Sequence, residues 1–174
     1  MIKRWLRGSA IGALLMVAST ALAQFEDAAA RVRFGAYFPS DTDLQAFNKV
    51  WFAVGLSVLT DGIPLLGSTA TELSADLYAH HTGGSRGTVS TILLSQIYEQ
   101  PISGGEAVLQ LRLGAGLFVV DTTGPSDSII GGRVGLTLRF NEFYAVELNY
   151  DITDRFGPGR DRANGFSLMV SYQF

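Results

Sequence analysis

From Phe166 to Phe174 every second side chain is large and apolar, and those between are small or polar except Met169. Successive strand residues point to opposite faces, so Phe166, Leu168, Val170, Tyr172 and Phe174 form a greasy row on one side of a strand. The same alternation recurs through the chain in stretches of about ten residues, too short and with the wrong period for membrane-crossing helices. A sheet with one apolar and one polar face must bury one of them, and closing into a barrel does so without leaving edges.

Eight such stretches are legible. In 31–38, Val32, Phe34, Ala36 and Phe38 oppose Arg31, Arg33, Gly35 and Tyr37. In 50–59, Phe52, Val54, Leu56 and Val58 oppose Ala53, Gly55 and Ser57. In 71–80, Leu73, Ala75, Leu77 and Ala79 oppose Glu72, Ser74, Asp76 and Tyr78. The fourth, 88–99, has two registers: Ile92, Leu94 and Tyr98 face out, or Val89, Leu93 and Ile97 do. In 108–120, a run of leucines from Leu109 to Leu117 opposes Gln110, Arg112, Gly114, Gly116 and Phe118. In 132–140, Val134, Leu136, Leu138 and Phe140 oppose Arg133, Gly135, Thr137 and Arg139. In 143–153, Tyr144, Val146, Leu148, Tyr150 and Ile152 oppose Ala145, Glu147, Asn149 and Asp151. The eighth is the C-terminal strand. Gly-, Pro- and Asp-rich turns such as Thr82-Gly83-Gly84 and Gly157-Pro158-Gly159 separate them.

Two closed structures share this pattern. A soluble lipid-binding barrel turns its large apolar row inward, and a membrane barrel turns it toward lipid around a polar lumen. The minor face carries Arg31, Arg33, Glu72, Asp76, Arg112, Arg133, Arg139, Glu147 and Asp151 among Gly, Ala, Ser and Thr. Eight strands enclose little volume, so the small and polar set fits inside more easily than Phe, Leu and Tyr. Mixed charges of similar number can pair there, which buried ions require. Aromatics agree: Phe38, Phe52, Tyr150 and Phe166 should gather at one rim, and Phe140, Tyr144, Tyr172 and Phe174 at the other, as in the girdles of membrane barrels.

The N-terminus reads as a secretory signal over 1–23. Lys3, Arg4 and Arg7 precede an apolar stretch at 11–22, and Ala21-Leu22-Ala23 fits the small-x-small cleavage rule. Residues 24–174 are then one barrel domain. With no cysteine, the chain has no disulfide, thiolate chemistry or lipoprotein anchor. The formal net charge is −3, and no basic cluster suits a nucleic-acid backbone.

These residues resemble the small eight-stranded outer-membrane barrels typified by the OmpA transmembrane domain, OmpX and OmpW. The resemblance extends over 31–174. Its most specific element is Gly165-Phe166-Ser167-Leu168-Met169-Val170-Ser171-Tyr172-Gln173-Phe174, similar to the C-terminal signal that the barrel-assembly machinery recognises. It implies a monomer in the bacterial outer membrane, in contact with lipid and lipopolysaccharide, with no cofactor, no metal and no catalytic motif.

For function, the inward charges form either a salt-bridged plug or an ion path. A filled lumen suits a structural or surface-interaction role, the reading preferred here. The lumen's many small residues could instead leave a conduit for small hydrophobic molecules, as the OmpW resemblance implies. His80, His81 and Ser85 could serve a lipid-A hydrolase only if a carboxylate joined them in a triad, and their spacing matches no known motif. Two adjacent histidines do not specify a metal site. The outer loops fall at 39–49, 81–87, 121–128 and 154–164. In the last, Asp154, Arg155, Arg160, Asp161 and Arg162 either meet lipopolysaccharide phosphates or are simply solvated.

Overall fold

The computed structural model describes residues 29–61, 67–82, 85–102, 104, 107–122, 126–156 and 161–174. The signal at 1–23 lies outside them, as do parts of several turns. Strands β1 (Ala29–Pro39), β2 (Trp51–Thr60), β3 (Ala70–Thr82), β4 (Ser85–Ile102), β5 (Ala107–Asp121), β6 (Asp127–Arg139), β7 (Tyr144–Thr153) and β10 (Gly165–Gln173) make one closed sheet. Their order is β1-β10-β7-β6-β5-β4-β3-β2, each antiparallel to its neighbours. The two-residue strands β8 (Arg155–Phe156) and β9 (Asp161–Arg162) pair with each other outside it. The fold is the all-β, eight-stranded antiparallel up-and-down barrel expected from alternation.

Closure joins the first and last strands. Arg31 stands opposite Gln173, and Pro39 opposite Gly165. The end bearing Ala29 and Phe174 is called the terminal end, and the other the far end. At the terminal end Ala30 and Phe174 exchange backbone hydrogen bonds at 3.2 and 2.9 Å.

The faces sort as the charges require. Phe34, Leu94, Leu113, Leu136, Leu148 and Val170 are exposed outside, whereas Arg31, Arg33, Arg112 and Arg133 are fully buried inside. An exterior this continuously apolar is far beyond the patches that water-facing monomers carry. It matches the lipid-facing band of a membrane barrel, about 25 Å tall. Aromatics cap the band on the β1–β10–β7 side. Phe38 is opposite Phe166, whose ring lies 4.5 Å from that of Tyr150. At the terminal rim Tyr172 contacts Tyr144, Phe143 and Phe174 at 5.3, 6.1 and 6.2 Å.

The structure settles the open register in β4. Ile92 and Leu94 face out, while Val89, Leu93 and Ile97 are buried in the lumen. Three loops differ from expectation, the one at 154–164 in carrying the β8–β9 ladder. The segment 39–49 contains a helix, α1 (Thr42–Phe47), whose N-cap Asp41 accepts a 3.0 Å hydrogen bond from the Asp43 amide. The connection at 81–87 is mostly strand, since β3 runs to Thr82 and β4 starts at Ser85.

Candidate functional site

The site is the lumen, and it is filled in three layers. The middle layer is ionic. Arg31 and Arg33 come from β1, Glu72 and Asp76 from β3, Arg112 from β5, Arg133 from β6, and Glu147 and Asp151 from β7. Each is at most 3% exposed. Four guanidiniums face four carboxylates, so the layer is neutral as a whole.

Two hubs hold it. Arg112 places Nε 2.6 Å from Glu72 and Nη1 2.8 Å from Glu147, and donates to Asn149 Oδ1 at 3.0 Å. Arg133 places Nε 2.6 Å from Asp151, pairs with Asp76, and donates to the Tyr78 hydroxyl. Tyr78 in turn donates to Asp151 at 2.9 Å. Arg33 links the hubs, lying 3.0 Å from Asp76, 3.5 Å from Glu147 and 3.8 Å from Glu72. Arg31 reaches Glu147 at 3.4 Å and donates to Gln173 at 2.9 Å. Desolvating each ion costs several kcal/mol, which close pairing and added hydrogen bonds offset only when geometry is good.

Sequence order explains the arrangement. Arg31, Glu72, Arg112 and Glu147 lie on β1, β3, β5 and β7 and alternate in sign. Hydroxyl residues on intervening strands stand opposite three of them: Ser57 opposite Arg31, Ser95 opposite Glu72 and Thr137 opposite Glu147. Long charged side chains thus cross the lumen from alternate strands, and short ones leave them room. Gly55 does the same for Asp76: a Cβ there would lie 3.0 Å from the Asp76 carboxyl carbon and 3.1 Å from Arg33 Nε.

Arg139 does not belong to this layer. It sits at the terminal mouth, about a quarter exposed, 3.6 Å from Glu99. Glu99 also accepts from Gln110 at 2.5 Å. Glu99 escaped the sequence reading because the β4 register was open; once Leu94 faces out, Glu99 must face in. A cavity of about 240 Å³ opens here, lined by Glu99, Arg139, Asp61 and Gln173 among others.

The far-end layer is aromatic. Tyr37 stacks on Tyr78 with centroids 4.2 Å apart and planes 2° from parallel, and meets Trp51 edge-on at 6.1 Å. Val89, Leu93, Phe118, Val120 and Met169 complete the cluster, with Leu44 of α1 packed on it. The inward positions of Tyr37, Tyr78 and Phe118 followed from alternation. Their union with the inward aliphatics of β4 did not.

His80 and His81 point to opposite faces of β3, the first buried and the second exposed. The side-chain hydrogen bond made by His80 is with Asn48. The side chain of Ser85 lies outside the described residues. The histidines are therefore not brought to one site.

No protein-family model matches the chain, and no curated protein matches it significantly. Solved structures do. The N-terminal β-barrel domain of Pseudomonas aeruginosa OprF aligns with a TM-score of 0.53 at 14% identity, covering 84% of this chain and 97% of that one. Neisserial surface protein A aligns with a TM-score of 0.52 at 13% identity, covering 84% and 94%. The chain has the fold of the small eight-stranded outer-membrane β-barrels. At this identity the likeness is one of fold.

Proposed function

We propose that this protein is a non-catalytic barrel of the bacterial outer membrane, serving as a membrane-embedded mount for the surface it presents at its far end. The supporting observation is the filled lumen: a neutral cluster of four arginines and four carboxylates beneath an aromatic plug. A structure built to move solutes keeps a continuous path, and here Arg112–Glu147 and Tyr37–Tyr78 cross it at two levels. The same plug counts against a conduit for small hydrophobic molecules. In this reading the terminal end faces the periplasm and the far end, with α1 and the β8–β9 ladder, faces outward. Lipid and lipopolysaccharide surround the apolar band, and the outward row of β10 engages the barrel-assembly machinery during insertion.

Conductance across planar bilayers tests it. The intact protein should stay at the bilayer background, while Arg112→Ala with Tyr37→Ala should leak. Steady conductance by the intact protein would overturn the sealed-mount reading in favour of a pore.

A further inference from the structure

Among the described residues the far mouth carries a buried histidine that the ionic layer does not use. His80 is 6% exposed, and its Nε2 is buried with no hydrogen-bond partner among the described residues. Its Nδ1 lies 3.3 Å from Asn48 Nδ2. Asn48 is the C-cap of α1, and its Oδ1 accepts from the Val50 amide at 3.4 Å. With that oxygen engaged, the Asn48 amide nitrogen donates to Nδ1, so the neutral ring carries its proton on Nε2. Trp51 fixes the same corner, donating Nε1–H to the Asn48 carbonyl at 2.9 Å, with its ring 6.0 Å from His80.

Helix α1 is a lid. It follows β1 yet also packs against β4, and Leu44 is 1% exposed over the plug. Its C-cap residue Asn48 touches β3 through His80. Across the sheet His80 faces Gly87, and Trp51 packs where a Cβ on Gly87 would sit. The described charged groups around this rim are these. Asp43 and Lys49 beside the lid, His81 on β3 and Arg86 on β4 are exposed, and Asp41 caps α1. Asp121 and Asp127 are half-buried at the β5–β6 rim. On the inner face of β3 below, Asp76 is held by Arg33 and Arg133, and Tyr78 by Arg133 and Asp151.

We propose that His80 is an acid-sensitive latch for the α1 lid, so that proton uptake breaks the Asn48–His80 contact and loosens α1 over the far mouth. Imidazole is the side chain that ordinarily changes charge between pH 5 and 8. A protonated ring offers N–H at both nitrogens, so Nδ1 meets a donor with a donor. It also places a cation at a buried position against the Trp51 ring, where charge is costly. Both effects favour the released lid. The ionic layer stays beneath as a floor, so release exposes the plug without opening a pore.

The test uses Trp51 in a Trp5→Phe background, which leaves one tryptophan. Acrylamide quenching of the folded barrel should rise at least about threefold as pH falls from about 8 to about 5. His80→Gln or His80→Phe should abolish the rise, and His81→Gln should keep it. A flat profile in the parent, an equal rise without His80, or loss of the rise with His81→Gln would overturn the latch. Because the readout is exposure of Trp51 and not conductance, it stands apart from the sealed-mount reading.

Discussion

The ring of Tyr37 on β1 lies flat against the bare backbone of Gly165 on β10, so close that a Cβ there would come within 2.5 Å of Tyr37 Cζ. The hydroxyl passes beyond it and donates to the Ala163 carbonyl at 2.9 Å. Tyr37 therefore clamps the seam between the first and last barrel strands. Gly165→Ala should push the ring off this seat and cost about 1–3 kcal/mol, as overpacking does. Tyr37→Phe loses only the hydrogen bond and should cost about 1 kcal/mol. Urea unfolding from lipid vesicles measures both, and the order of the two variants is the expected result.

The ionic layer and the mouth pair should respond very differently to loss of a cation. Arg112→Met removes the nearest cation of both Glu72 and Glu147, leaving three guanidiniums against four carboxylates in a closed interior, and should cost about 3–5 kcal/mol. Arg139→Met removes a partly exposed partner 3.6 Å from Glu99 and should cost no more than about 1 kcal/mol. Equal unfolding midpoints for the two would contradict the distinction between layer and mouth.

Leu148 stands in the outward row, opposite Leu136 on one side and Leu168 on the other. Leu148→Arg places a cation in the hydrocarbon and should cost about 2–4 kcal/mol in a bilayer. In detergent micelles, where a headgroup is nearer, the penalty should shrink. A penalty unchanged between the two media would argue against a lipid-facing Leu148.

Phe174 separates assembly from stability. Its side chain is 64% exposed, while its backbone carries the bonds to Ala30. Phe174→Ala should barely change the unfolding midpoint of the purified barrel yet reduce the folded fraction in cells, scored by the heat-dependent gel shift. Equal folded fractions in cells would remove the role proposed for the C-terminal row.

Most of the barrel was legible because lipid outside and ions inside enforce a period of two. Seven strands showed their faces directly. β4 did not, because Val89 and Leu93 turn inward to the plug and Ile97 turns inward beside Arg112, which makes both of its faces apolar. That ambiguity also hid Glu99 and left Arg139 grouped with the central charges. Helix α1 was hidden for another reason. Six residues are too few to show helical periodicity, although Asp41 before Thr42-Asp43-Leu44 is an N-cap signal. The partners of each arginine were not legible, since they depend on the barrel's stagger and not on any local pattern.

Spin-label accessibility on this cysteine-free chain probes the inside-out arrangement most directly. Labels at Leu56, Leu136, Leu168 and Val170 should collide freely with lipid-dissolved oxygen, and labels at Ser57, Thr137, Ser167 and Ser171 should be shielded. The opposite pattern, or equal oxygen access at both sets, would contradict a barrel that turns its leucines to lipid and its arginines inward.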